Sequence, residues 1–213
     1  MRPRRVKFSG LRSVVVEGRE GTLSPRLRST GWPGPGPVAV LAAGLLALAP
    51  VPGARAQGIP FSQHGTVSQR VGFTDISIEY NRPVARGRRL FGDRAMVPWG
   101  KVWHPGADSA TIISFSRDVL VEGRPLAAGS YTLWTIPGPD EWTVIFSRAV
   151  HVFHIPYPGA QHDALRVTVK PDSGAHMEVL AYYFPVVTPD STVLRLHWGE
   201  TIVPVRIRAP ADR

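Results

Sequence analysis

Five arginines fall within thirteen residues: Arg82, Arg86, Arg88, Arg89 and Arg94. Planar guanidinium forks suit carboxylate, sulfate or phosphate groups, often two bonds at a time. Gly87 and Gly92 sit among them, so backbone N–H groups could join an anion site. The plainer alternative is that these arginines pair with the domain's own carboxylates or face solvent. A few residues on, Trp99 and Trp103 could offer a stacking platform, with His104 and Asp108 to position or transfer a proton. Against that stands a structural role, the indoles plugging one end of the fold and Asp108-Ser109 capping a turn.

Two weaker constellations remain. Ser109, His104 and Asp108 are the residue types of a hydrolytic triad, but no G-x-S-x-G elbow is present, and three residues so close along one loop rarely take triad geometry. His151, His154 and His162, with Asp163 adjacent, could ligate zinc. Their spacings of three and eight match no zinc motif, and no helix aligns them, so surface histidines are the favoured reading. The expected ligand contacts are therefore Arg82, Arg86, Arg88, Arg89, Trp99, Trp103, His104 and Asp108, with no cofactor.

The elements that must position these residues are strands. From Ala110 to Ser147 apolar and polar residues alternate between turn clusters at Glu122-Gly123-Arg124-Pro125 and Pro137-Gly138-Pro139-Asp140. That pattern predicts consecutive short antiparallel strands with one face buried. Two strands precede it, near His64 to Val71 and Phe73 to Tyr80. Ala164 to Lys170 and His176 to Phe184 follow, separated by a turn at Pro171-Asp172-Ser173-Gly174. Thr192 to Trp198 is another strand, Gly199-Glu200 a hairpin signal, and Val203, Val205 and Ile207 the last inward row. Nine or ten strands without an amphipathic helix predict an all-β, antiparallel, jelly-roll-like sandwich, with an open barrel as the alternative. Two long excursions interrupt it, one from Asn81 through Asp108 and one from Arg148 to Asp163. Irregular segments of that length are uncommon in compact domains and often functional.

The front of the chain differs. Val38 to Ala49 is an unbroken apolar run behind arginine-rich sequence, with Ala54-Arg55-Ala56 before Gln57. A basic region, a short apolar core and a small-x-small site predict a cleavable signal peptide within residues 1–56, cut near 56/57. The apolar run is too short for a permanent span of roughly 20 residues. Residues 57–213 would then be a single domain in the periplasm or outside the cell, touching membrane only through the uncleaved leader. The first 56 residues hold nine Lys/Arg against two Asp/Glu, and the remaining 157 hold 16 against 14. The charge belongs mostly to the leader and gives no ground for nucleic-acid binding. With no cysteine, disulfides, thiolate metal sites and a lipid-modified cysteine are excluded.

Several stretches carry a family resemblance: Tyr80 to Gly92, Val97 to Thr111, and LAAGSYTLWTIPGPDEWTVIF, with QHDALRVTVKP and RLHWGETIVPV later. They resemble the bacterial domain of unknown function family 2911 from about Gly65 to Arg208. The resemblance implies an exported β-rich domain and no activity. It also exposes a departure. The family's loop usually reads Trp-Arg-x-Gly-Ala-Asn-Glu-Ala-Thr, and here His104, Asp108 and Ser109 replace the Arg, Asn and Glu. The favoured expectation is a non-enzymatic domain binding an anionic or carbohydrate-like ligand, or a cell-envelope partner, where the two loops of the first excursion meet. A hydrolase using His104 and Asp108, with or without a metal, and a purely structural or assembly module are the alternatives.

Overall fold

A computed structural model describes residues 61–210; the expected leader and cleavage site lie outside them. Ten strands follow one another: β1 (Gln63–Val71), β2 (Thr74–Arg82), β3 (Ile112–Phe115), β4 (Val119–Val121), β5 (Arg124–Leu126), β6 (Gly129–Ile136), β7 (Trp142–Ser147), β8 (Asp163–Val169), β9 (Asp172–Val187) and β10 (Ser191–Arg208). One 3-10 turn, Ala160–His162, precedes β8. The strands form two antiparallel sheets, ordered β1-β2-β3-β6-β7-β8 and β5-β4-β10-β9. This is the expected all-β sandwich, and not a closed barrel.

Period-two alternation explains the core. Ile76, Ile78 and Tyr80 of β2, Ile113 and Phe115 of β3, and Leu133 and Phe146 of β6 and β7 face inward from the large sheet. Val121, Leu180, Tyr182, Leu194, Leu196 and Trp198 meet them from the small one. The side chains of two inner faces interdigitating in this way make a sandwich core about 10 Å thick.

Four local expectations are corrected. The 110–147 stretch is not one sheet: β4 and β5 leave it as a hairpin that joins β10 in the other layer. Their turn residues Glu122 and Gly123 have φ of 47° and 75°, the paired positive values of a tight hairpin turn. Secondly, β6 and β7 are buried on both faces, not one: outward-pointing Trp134 and Ile145 are 1% and 0% exposed. Tyr157 of the second excursion packs edge-on against Trp134 at 5.3 Å and helps to cover that face. Thirdly, Gly199-Glu200 is no hairpin. The strand β10 runs straight through, and Gly199, at φ 59°, marks a bulge. The bulge switches the inward row from Leu194, Leu196 and Trp198 to Val203, Val205 and Ile207. Lastly, β9 begins at Asp172, so the turn predicted over 171–174 is confined to Lys170-Pro171 at the sheet crossover.

Candidate functional site

The arginine segment is positioned by the edge of the small sheet. Beyond β2 the chain pairs with β9: Leu180 N–H donates to Pro83 O at 2.9 Å, and Ala85 N–H to Glu178 O at 2.7 Å. Arg86 then takes a left-handed φ of 54°, and its N–H donates to Glu178 Oε1 at 2.6 Å. The His176 hydrogen bond, and after it this backbone amide, hold the Glu178 carboxyl below its ordinary pKa. Arg88 folds back, its Nε donating to Ala85 O at 2.9 Å and its Nη2 to Val84 O. Arg82 donates through Nε to Leu180 O. The Arg86 guanidinium lies 4.3 Å above the Phe61 ring and makes no ion pair among the described residues.

The tryptophan segment runs alongside β6. Trp103 and Thr135 exchange backbone hydrogen bonds at 2.7 and 2.8 Å, so neighbouring side chains point to opposite faces. Trp103 goes inward and stacks on Trp198, centroids 5.9 Å apart at 8°. Phe91 meets Trp103, Trp142 and Trp198 edge-on and stacks with Trp99 at 6.3 Å. His104 goes outward, edge-on to Trp134 at 5.4 Å, and is 4% exposed. Its Nε2 accepts the Thr111 N–H at 2.6 Å, so Nδ1 carries the proton, and that atom is buried without a partner. Burial, and secondly the charge of nearby His154, push its pKa down to about 3, so the ring is neutral at any physiological pH.

These two segments meet across a cleft of about 360 Å³. Arg86, Arg88, Trp103 and Asp108 line it together with Phe61, Met96, His154 and Trp198. Asp108 sits at φ 57°, and its backbone carbonyl accepts from both His154 N–H at 3.0 Å and His154 Nδ1 at 2.7 Å. His154 thus commits Nδ1 to this carbonyl, while the exposed Asp108 carboxylate has no partner among the described residues. The cleft therefore combines a guanidinium that stacks on Phe61 but makes no ion pair among the described residues, a carboxylate without a partner among them, and an indole pair.

Residues 62–207 match the family "Protein of unknown function (DUF2911)". The chain belongs to that family. No curated protein and no solved structure matches it.

The remaining expected site residues of this DUF2911 domain lie elsewhere. Arg82 serves the β2–β9 junction, and Arg89 packs over Gly92. Arg94 is exposed outside the cleft, and Trp99 lines the neighbouring depression. His104 is beneath the second excursion rather than in the cleft. Ser109 is exposed and bridged to Phe153, and no hydrogen bond links it to His104 or Asp108. His104 thus has no free basic nitrogen with which to serve a nucleophile. The histidine group is not gathered: among the described residues no three His, Cys, Asp or Glu side chains are placed to hold a metal ion. Asp163 accepts instead from Tyr157 and Arg166. Trp198 and Phe61 escaped the sequence reading as cleft residues, because nothing in strand periodicity says which end of a sandwich a loop will close.

Proposed function

We propose that this domain binds a small anionic or carbohydrate-like ligand in the cleft between the two loops, without chemistry of its own. The observation that carries the reading is that Arg86 and Asp108 line one cleft, neither in an ion pair among the described residues, beside the stacked Trp103 and Trp198. Arg86 supplies a fork of donors for a carboxylate or phosphate. Asp108 accepts from hydroxyls, and the Trp103 edge of the indole pair offers an apolar face. Few convergent polar groups on an aromatic wall is the usual make-up of a small-molecule site. A hydrolase reading lacks a base, since His104 is buried with Nε2 occupied.

The test is thermal unfolding of the purified protein with inorganic phosphate, D-galacturonate and D-glucuronate. A ligand at 100 times its Kd stabilises by about 2.7 kcal/mol. The midpoint should rise with at least one of these, and the rise should vanish in Arg86→Ala. A rise that survives Arg86→Ala places binding elsewhere, and no rise with any of them favours the structural module. We place the domain outside the cytoplasm on the strength of the 38–49 apolar run and the 54–56 cleavage signal.

A further inference from the structure

The cleft shares its walls with other depressions. Arg88 and Trp198 also line a second one of about 360 Å³, floored by Phe91 and Trp99 and bounded by His176 and Glu200. Trp99, Glu200 and Thr201 in turn line a third of about 410 Å³, with Trp142 and Asp172. Three depressions that share lining residues thus lie next to one another around the aromatic cluster at this end of the sandwich, and a chain-like ligand could follow them as one groove.

The chemistry changes along the groove. Arg86 lines only the first depression and Asp172 only the third, while Arg88, Glu200 and half-buried Trp99 share the middle one. A phosphate backbone, negative at every unit, would be repelled by the acidic end. Pyranose rings fit both parts: a C–H face packs on an indole, and the hydroxyl rim donates to carboxylates. A charged group is wanted only at the arginine end.

We propose that the groove holds a linear glycan with one acidic group at its end, that group at Arg86 and Arg88 and neutral sugars running over Trp99 to Glu200 and Asp172. This rests on the reading of the cleft given above and extends it to a ligand class.

Calorimetric titration with cellobionate, cellotrionate and cellotetraonate, alongside neutral cellotetraose, tests it. Each acid carries one carboxylate on a lengthening neutral chain. Affinity should tighten about tenfold from cellobionate to cellotetraonate, the gain that ~1.4 kcal/mol of added contact gives. Neutral cellotetraose should bind at least about tenfold more weakly than cellotetraonate, since it lacks the arginine contact. In Trp99→Ala the ratio between the long and short acids should fall towards one. Trp99 stacks on Phe91, so exposed Glu200→Ala is the second variant, with the same expected fall. Cellobionate binding that needs Arg86 but gains nothing with length overturns the groove and leaves the cleft reading standing. Equal affinity for cellotetraose and cellotetraonate removes the acidic end. Should no aldonate bind while phosphate or galacturonate still does, the glycan is wrong and the cleft is not.

Discussion

Replacing His104 with glutamine should flatten the acid side of the protein's stability profile. The native ring is held neutral, its pKa lowered from 6.5 to about 3 by burial and by His154. Between those values the unfolded chain binds a proton that the folded chain does not, so stability falls as pH falls through this window; above 6.5 the group contributes no pH dependence. At pH 5 the unfolded ring is about 1.5 pH units below its midpoint, and at 1.36 kcal/mol per unit the loss is about 2 kcal/mol. A folded-state value anywhere below about 4 gives nearly the same figure, because the native ring is then neutral at pH 5 in either case. Glutamine keeps an acceptor where Nε2 takes the Thr111 N–H but cannot titrate. The assay is urea unfolding at pH 7, 6 and 5, followed by tryptophan fluorescence, with Trp142 and Trp198 buried as reporters. Wild type should lose about 2 kcal/mol more than His104→Gln between pH 7 and 5. Asp75 and Glu178, whose pKa values are lowered by Arg70 and His176 respectively, lose their contribution as pH falls from the ordinary carboxylate values downward, beneath the pH 7 to 5 range of the assay. Parallel profiles for the two proteins would refute the buried neutral histidine.

Gly199→Ala should destabilise by about 2 kcal/mol, since a left-handed φ is costly for a residue with a Cβ. That Cβ would also meet Leu90 Cδ1 at 2.8 Å, and the denaturation midpoint reads the loss. Exposed Arg86→Ala should leave stability within about 0.5 kcal/mol by the same measurement, separating a lost ligand contact from a lost fold. N-terminal sequencing of protein recovered from outside the cytoplasm should begin at Gln57 or a close neighbour; an intact Met1 would overturn the leader.

Strand positions were legible because burial on one face enforces a period of two, as Ile76, Ile78 and Tyr80 show. Partnership was not. Val119 and Val121 alternate in the same way whether β4 pairs with β3 or crosses to β10, and only the global packing selects the second. Gly199 illustrates a different ambiguity. Positive φ is what a hairpin turn and a bulge both require, so the residue marks a break in the ladder without saying whether the chain reverses. The double burial of Trp134 was hidden because its cover, Tyr157, comes from a segment with no periodicity of its own.

The site divides along the same line. Arginine and tryptophan types announced two loops capable of recognition, and Arg86, Arg88, Trp103 and Asp108 do share a cleft. Yet the alternation that placed Trp103 inward against Trp198 necessarily sent His104 the other way, under the second excursion, where it accepts a backbone N–H. Neighbours in sequence were thereby separated by a sheet. His154, considered as a metal ligand, instead holds the Asp108 carbonyl and completes the cleft from 46 residues away. Trp198 closes it from β10, and the same indole carries the wall on towards Trp99. The proposed recognition therefore leans on one end of the sandwich being plugged by aromatics: half-buried Trp103 and Trp99, which a ligand would meet, are held in place by stacking on buried Trp198 and on Phe91.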